Sequence, residues 1–364
     1  MSKLYSIQVL RGLAAVAVVI DHVTHYMHKS FSGNSWIYSS NIYNVGGFGV
    51  DLFFCISGFI MVITTYNKPS GFSQSLTFLK KRFVRIYPTY WFYCILTLAL
   101  PFILYGKTDL ISKYDPLFLL QSFLLLPAKI SECSFSPFLG QGWTLQYELY
   151  FYLIFASAIL LFNGWRVVLV SSLAIFALLA SSKVVDFNEY VNYLISNSIV
   201  IDFILGMISA LIYISLRNNG VSISSKVSIT FIVLLMTCVS YLVIEKVNID
   251  RVVLFGLPSF FIVTFFSLSD INSSKIINKI LIQLGEASYT IYLAHMVLIW
   301  SALKYSSKLK MLNVDLAITL YVGAICAAGY LMFLAIEKNI TKYLSRMGRL
   351  EKIKSTSDNS EHNY

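Results

Sequence analysis

The sequence predicts an all-α polytopic integral membrane protein with about ten transmembrane helices and both termini in the cytoplasm. Of its 364 residues, 57% are hydrophobic and 13% are charged, whereas soluble proteins contain about 25% charged residues. The mean hydropathy is +0.70. Apolar runs of roughly the 17–25 residues that a bilayer requires recur along the chain. These runs lie near residues 8–28, 48–66, 85–105, 145–163, 166–181, 195–215, 227–244, 252–269, 288–304 and 315–336.

The distribution of positive charge predicts the orientation. Loops rich in Lys and Arg stay in the cytoplasm, and most of the 28 Lys and Arg residues fall in the inner segments if the N-terminus is inside. The net charge of +10 is therefore an orientation signal, and no nucleic-acid partner is expected. The first apolar run lacks a signal-peptide cleavage site and is predicted to span the lipid bilayer. Residues 1–340 form the predicted transmembrane domain, and residues 341–364 a basic, polar tail, disordered at its end.

Two ionisable residues lie in the first predicted helix. Arg11 and His22 are eleven positions apart, which places them on nearly the same helix face and roughly 16 Å apart along the axis. Ionisable groups within a span cost about 2.5–3.5 kcal/mol each. Such groups are usually retained for function, so Arg11 near the inner surface and His22 deeper toward the outside are candidate site residues.

A second basic cluster precedes the third apolar run. Arg82 and Arg85 are three residues apart and would project from one face at the start of a helix, as a pair of forked donors suited to phosphate. The alternative is an anchor that contacts lipid headgroups. Ser57, in the second helix, is a candidate ligand contact or a small residue that permits close helix packing. Asp51, at the outer mouth of that helix, is a candidate cavity residue or an interfacial one.

The fourth helix carries a carboxylate that the sequence places beside the histidine of the first. Glu148 would enter the bilayer from the outside by about one turn, at the depth of His22. A carboxylate and an imidazole at one depth can form an acid/base pair, or a buried pair that only fixes helix packing. His295 lies mid-membrane in the ninth helix and either lines the cavity or satisfies a core hydrogen bond.

Metal binding is not predicted. The spacing of His22, His25 and His28 rotates each ring by about 60° from the last, so the three do not share a face. The five cysteines contain no CxxC pair, and neither a disulfide framework nor a zinc site is expected.

Five ordered motifs resemble the acyltransferase family 3 membrane proteins. They comprise the opening with its Arg-x10-His spacing, a Gly-Val-Asp-Leu-Phe-Phe run, an Arg-x-x-Arg-Ile-Tyr-Pro run, Trp-Thr-Leu-x-x-Glu and Ser-Tyr-x-x-Tyr-Leu-x-His. They lie at residues 5–22, 49–59, 82–88, 143–148 and 288–295. The resemblance covers residues 1 to about 340, and the opening most resembles bacterial exopolysaccharide and O-antigen acetyltransferases.

The resemblance implies an enzyme of the bacterial inner membrane that moves an acetyl group from cytoplasmic acetyl-CoA to a hydroxyl on the outer side. The acceptor would be O-antigen, capsule, exopolysaccharide or an undecaprenyl-linked glycan precursor. Matching positions give His22 and Glu148 as catalytic residues and Arg11, Arg82 and Arg85 as donor-site residues. Ser57 and Tyr87 join the donor site as candidate hydrogen-bond donors to the thioester carbonyl. The candidate cavity-lining residues are Asp51, Phe54, Trp143, Tyr292 and His295.

Two other classes of function remain open at this point. A proton-coupled transporter or flippase of a sugar lipid would use intramembrane His and Glu as a proton relay, although the chain shows no inverted repeats. An inactive sensor or assembly partner is the second. Residues 106–141 and 183–192 are the candidate acceptor contacts. The acyl chain length, an acyl-enzyme intermediate on His22 or Ser57, and the oligomeric state are left undetermined.

Overall fold

The computed structural model describes residues 4–30, 34–106, 114–131, 134–271, 275–303 and 313–344. These residues form thirteen α-helices and one small antiparallel hairpin. The α-helices are α1 (Tyr5–Ser30), α2 (Trp36–Ser39), α3 (Phe48–Thr65), α4 (Phe72–Tyr105), α5 (Pro116–Phe123), α6 (Trp143–Leu161), α7 (Trp165–Ser181), α8 (Glu189–Ile195), α9 (Ile201–Asn218), α10 (Ser225–Ile244), α11 (Leu257–Ser267), α12 (Ile276–Leu303) and α13 (Val314–Met332). The hairpin pairs β1 (Lys129–Ser131) with β2 (Ser134–Phe135). The predicted tail beyond residue 344 lies outside the described residues.

The long helices overlap the predicted apolar runs, and seven of the ten predicted spans correspond to helical segments of sufficient length and hydropathy. Seven helical segments are long and apolar enough to cross a membrane, and they contain α1, α3, α4, α6, α9, α10 and α13. Helix α7 and the segment Val252–Ser267 are apolar but shorter. The chain is thus an all-α, multi-pass membrane protein.

Two helices begin well before their predicted starts. The third apolar run was expected to start near residue 85, but α4 begins at Phe72. The ninth was expected near 288, but α12 begins at Ile276. In both cases the helix includes a polar stretch that a hydropathy window omits. Arg82 and Arg85 consequently lie inside a helix of 34 residues, and not at its start as expected.

Close backbone contacts hold the centre of the bundle together. Helix α1 packs along α12 and also contacts α3, which packs along α9. A Cβ atom added to Gly285 of α12 would lie 1.8 Å from the Gln8 carbonyl oxygen of α1, and one on Gly206 of α9 would lie 1.9 Å from the Cys55 oxygen of α3. Only glycine allows such approaches, as is common between membrane helices. These contacts fix the spacing of the helices that carry the site residues.

Helix α6 begins inside the bundle. The 3-10 turn Gly140–Gly142 precedes it, and Gln141 and Thr144 are buried. The Gln141 side-chain amide donates to the Leu293 carbonyl of α12 at 2.8 Å. The Thr144 and Tyr292 hydroxyls are 2.9 Å apart. These bonds tie the start of α6 to the middle of α12.

Candidate active site

A narrow cavity lies between α1, α3, α4, α6 and α12. Its volume is about 80 Å³. Its polar lining comes from residues that lie far apart in the sequence: Arg11, Ser57, Arg82, Arg85, Thr144, Glu148, Tyr152, Ser288, Tyr289 and Tyr292. The structure therefore brings together the predicted arginines, Ser57, Glu148 and Tyr292, and Phe54 also lines the cavity.

The Glu148 carboxylate is held by two hydroxyls. Ser57 of α3 donates to its Oε1 atom at 2.8 Å, and the Tyr152 hydroxyl, one turn further along α6, donates to the same oxygen. Tyr152 is buried. Ser57 is thus a hydrogen-bond donor to Glu148, and the two bonds together fix the carboxylate in the cavity wall.

The three arginines differ in their surroundings. Arg11 is 8% exposed, and its guanidinium donates to the Gln8 side chain at 3.4 Å. The guanidinium of Arg82 lies over the rings of Phe78 and Tyr152, at 5.3 and 5.4 Å from their centroids. Arg85 is exposed. Because stacked rings orient a guanidinium, Arg82 is pre-positioned at the cavity wall, whereas Arg85 is open to a ligand.

A wider basic vestibule adjoins the cavity at the junction of α3 and α4. Its volume is about 520 Å³, and its lining includes Lys68, Lys81, Arg82 and Arg85. This volume falls within the range of about 300–1,000 Å³ typical of ligand pockets. Burial and the nearby charges of Lys81 and Arg82 lower the pKa of Lys68. A bound anion would relieve that repulsion between cations, so the vestibule is suited to a polyanionic ligand.

The predicted pairing of Glu148 with His22 is wrong. Glu148 lines the cavity together with Arg11, eleven positions before His22 in α1. The sequence argument assumed that α6 begins at the outer surface. Because Gln141 and Thr144 are already buried against α12, Glu148 lies one turn deeper again, at the level of Arg11.

His22 lies beyond the end of this cavity. Its Nδ1–H donates to the Val18 carbonyl at 3.0 Å, so that in the neutral ring Nε2 carries the lone pair. The His295 ring lies edge-on at 4.9 Å between centroids. The Tyr292 ring is 5.7 Å from that of His295 and lines the cavity. Tyr292 and His295 therefore link the cavity to His22.

Asp51 does not line the cavity. Its side chain is fully buried, and Arg251 donates to both carboxylate oxygens, from Nε at 3.1 Å and from a terminal nitrogen at 2.7 Å. The interfacial position expected for Asp51 is also wrong, because the turn Ile42–Gly47 and the π-helical segment Val252–Gly256 contact α3 here. Asp51 is the buried half of an ion pair whose other half, Arg251, is partly exposed.

Two other predicted site residues face away from the cavity. The Tyr87 hydroxyl donates to the Leu124 carbonyl at 2.9 Å, and its ring stacks on Phe83 at 4.3 Å. Trp143 contacts the Tyr147 ring edge-to-face at 5.9 Å. Neither side chain lines the cavity, so both support the packing around it.

Sequence reasoning missed three residues near the site. Tyr152 is four residues after Glu148, a spacing that places both on one helix face. Tyr289 lines the cavity, and its hydroxyl donates to the Ile86 carbonyl of α4 at 2.9 Å. Glu337 accepts a hydrogen bond from Thr290, but it lies just beyond the last predicted span. Tyr152 could have been found from its helical spacing to Glu148. Glu337 could have been found because it is an acidic residue at the end of an apolar run.

The fold and the site together define a multi-pass membrane protein whose basic vestibule and buried polar cavity lead to a histidine pair. The family model described as "Acyltransferase domain", for acyltransferase family 3, matches residues 4–335, and the chain belongs to this family. The protein is accordingly an acyltransferase by family, which favours the enzyme over the transporter alternative.

Two curated relatives agree with this family. "Exopolysaccharide production protein ExoZ" of Rhizobium meliloti (strain 1021) is 33% identical over 172 residues, which cover 46% of this chain and 50% of ExoZ. The match thus spans half the length of that relative. "Putative acetyltransferase ORF330" of Acidianus two-tailed virus is 26% identical over 298 residues, 79% of this chain and 81% of that protein. No solved structure matches the chain.

Proposed function

We propose that the protein transfers an acetyl group from acetyl-CoA to a hydroxyl of a surface polysaccharide or of its lipid-linked precursor. The observation that carries this proposal is the order of the basic vestibule, the narrow cavity that shares Arg82 and Arg85 with it, and His22, which Tyr292 and His295 link to the cavity. The names of the two relatives, an exopolysaccharide production protein and an acetyltransferase, favour the same substrates.

The donor enters from the basic end of the bundle. The phosphates of CoA would bind Lys68, Lys81, Arg82 and Arg85 in the vestibule, where these cations face one space. The vestibule is wide enough for the nucleotide, whereas the 80 Å³ cavity admits only a slender chain. The pantetheine arm would therefore extend through the cavity toward Tyr292. This arrangement requires the basic end to face the cytoplasm, as the positive-inside rule predicts.

Glu148 belongs to the donor side in this proposal. Its carboxylate lies in the cavity with Arg11, whose guanidinium is attracted first by Glu337 and then by Glu148. Held by Ser57 and Tyr152, it would keep the guanidinium of Arg11 in place beside the entering arm. The hydroxyls of Ser57 and Tyr87 already donate to protein acceptors, so neither is assigned to the thioester carbonyl.

The chemical step uses His22 as a general base. The acceptor hydroxyl oxygen attacks the thioester carbonyl carbon while Nε2 of His22 takes the hydroxyl proton. The C–O ester bond forms, the C–S bond breaks, and the CoA thiolate takes the proton from His22. The acceptor reaches His22 from the membrane face opposite to the vestibule, where the ring is 39% exposed.

The test is complementation of a deletion strain, followed by an NMR count of O-acetyl groups on its surface polysaccharide. Wild type should restore the acetyl signals and His22→Gln should not, while the matched control His28→Gln should restore them. His28 stacks on Tyr38 at 3.6 Å and has no assigned part in transfer. Full acetylation with His22→Gln would refute the assignment of the base, and acetylation that never depends on the gene would refute the substrate proposal.

A further inference from the structure

The two carboxylates that the sequence suggested as partners of His22 are bound by other residues. A histidine that accepts a proton during transfer needs groups that stabilise the positive ring. Glu148 is bound by Ser57 and Tyr152, and Asp51 is bound by Arg251. Two other residues face the His22 ring instead, one from its own helix and one from α12.

The first is Asp21. Its Oδ2 atom lies 3.9 Å from Nδ1 of His22, and the Asp21 side chain is 26% exposed. The turn Ile42–Gly47 covers it, since a Cβ added to Gly46 would lie only 2.6 Å from the Asp21 Cβ. A carboxylate this close, partly shielded from water, attracts an imidazolium more strongly than it would in bulk solvent.

Other titratable groups also face Asp21. His25 approaches from α1, and Arg251 approaches from the start of the π-helical segment. Tyr43, in the turn Ile42–Gly47, faces it as well. His22 is the largest electrostatic partner of Asp21 among these groups, and Arg251 already pairs with Asp51.

The second residue is His295. Its Nδ1–H donates to the Tyr292 carbonyl at 2.5 Å, so that Nε2 carries a lone pair. That Nε2 atom is buried and has no hydrogen-bond partner in the described part of the chain. The neighbouring ring, His22, also presents an acceptor Nε2 while it is neutral, and two acceptors cannot bond to each other.

Protonation of His22 removes this mismatch. The imidazolium has two N–H donors: Nδ1–H already binds Val18, and Nε2–H, once it has taken the hydroxyl proton, can be shared between the acceptor oxygen and the unpartnered Nε2 of His295, whose ring centroid lies 4.9 Å from that of His22. A buried acceptor without a partner is costly, so the new bond favours the protonated ring. Asp21 favours it as well, through charge.

We propose that Asp21 and His295 are positioning residues that stabilise the protonated form of His22 during acyl transfer. The proposal rests on the proposed function, in which His22 is the base. It assigns to these two residues the part that the sequence had suggested for Glu148 or Asp51.

The test is the pH dependence of kcat/KM for acetyl-CoA, measured with the full chain in proteoliposomes and a polysaccharide acceptor. Asp21→Asn should lower kcat by about tenfold to hundredfold with little change in KM for acetyl-CoA. It should also move the acid limb of the profile to lower pH, because His22 then loses its proton more readily. Asp21→Glu should recover part of the activity, and the control Asp315→Asn should keep the wild-type profile. Asp315 accepts hydrogen bonds from the Ser35 hydroxyl and the Trp36 backbone N–H, and it has no assigned interaction with His22.

A pair of variants tests His295. Gln keeps an acceptor at this position and Leu does not, so His295→Gln should retain clearly more activity than His295→Leu. Equal activity of these two variants, together with a wild-type profile for Asp21→Asn, would overturn the inference. If His22→Gln is inactive in that case, the proposed function stands and only the inference fails. If His22→Gln is fully active, the catalytic proposal fails with it.

Discussion

Replacement of Arg251 by Met should destabilise the protein more than removal of the charge of its partner, Asp51. Both Asp51 and its neighbour Asp202 are fully buried, and neither oxygen of Asp202 has a hydrogen-bond partner in the described residues. The side chain of Arg251 is 40% exposed. It also donates to the Gly47 carbonyl at 3.4 Å. The two halves of this ion pair are thus buried to very different extents.

The magnitude follows from what each change leaves behind. Arg251→Met leaves two carboxyl groups in an apolar interior without a counter-charge, and breaking a buried pair in this way costs about 3–5 kcal/mol. Asp51→Asn leaves a guanidinium that already reaches solvent and keeps an amide oxygen as its acceptor. We expect a loss of about 1.5–3 kcal/mol, the value of one hydrogen bond to a charged group.

The assay is equilibrium unfolding of the purified protein in mixed micelles. The matched control is Arg217→Met, because Arg217 pairs with Asp270 at 2.6 Å but is 38% exposed, beside an aspartate that is 71% exposed. An exposed pair contributes about 0–1 kcal/mol. The reasoning is refuted if Arg251→Met costs no more than Arg217→Met, or if Asp51→Asn proves more costly than Arg251→Met.

Three further variants address the donor side and the packing. In steady-state assays, Arg82→Gln should raise the KM for acetyl-CoA by about tenfold, the effect of losing one charge-assisted contact, with a modest change in kcat. The control Arg166→Gln should leave the KM unchanged, because Arg166 is an exposed residue at the start of α7. Glu148→Gln should change the KM for acetyl-CoA and leave the acid limb of the pH profile at its wild-type position, because the carboxylate lies in the cavity with Arg11 and not beside His22. A shifted acid limb would instead support the predicted acid/base pair of Glu148 and His22. Gly206→Ala should cost at least about 1–3 kcal/mol in the unfolding assay, while Gly323→Ala, where an added Cβ meets nothing within 4 Å, should not destabilise.

The long helices were predictable where apolar residues define them, whereas the polar first turns of α4 and α12 were not. The arginines could also be assigned to one face, since Arg82 and Arg85 are three positions apart on one helix. The depth of Glu148 was not predictable. It depends on bonds from Gln141 and Thr144 to α12, about 150 positions away in sequence, and such polar residues before an apolar run normally indicate a surface loop.

The ion pair of Asp51 was not predictable either, because it joins residues that are even further apart in the sequence. Its partner Arg251 is 200 positions away, and hydropathy alone gives no reason to join the second and eighth apolar runs at that point. Asp21 was also not singled out from the sequence, where it is an ordinary polar residue near the end of a span. Its proximity to His22 matters only because the turn Ile42–Gly47 closes over it.

The geometry of the histidine pair depends on a contact far from it. Helices α1 and α12 pack closely because Gly285 has no side chain opposite the Gln8 carbonyl, near the donor cavity. Since helices are stiff, this spacing is carried along both of them to the level of His22 and His295. The same helix pair therefore sets the width of the donor cavity and the distance between the two imidazoles. We therefore expect a larger residue at position 285 to disturb both the cavity that Arg11 and Glu148 line and the distance between the two imidazoles.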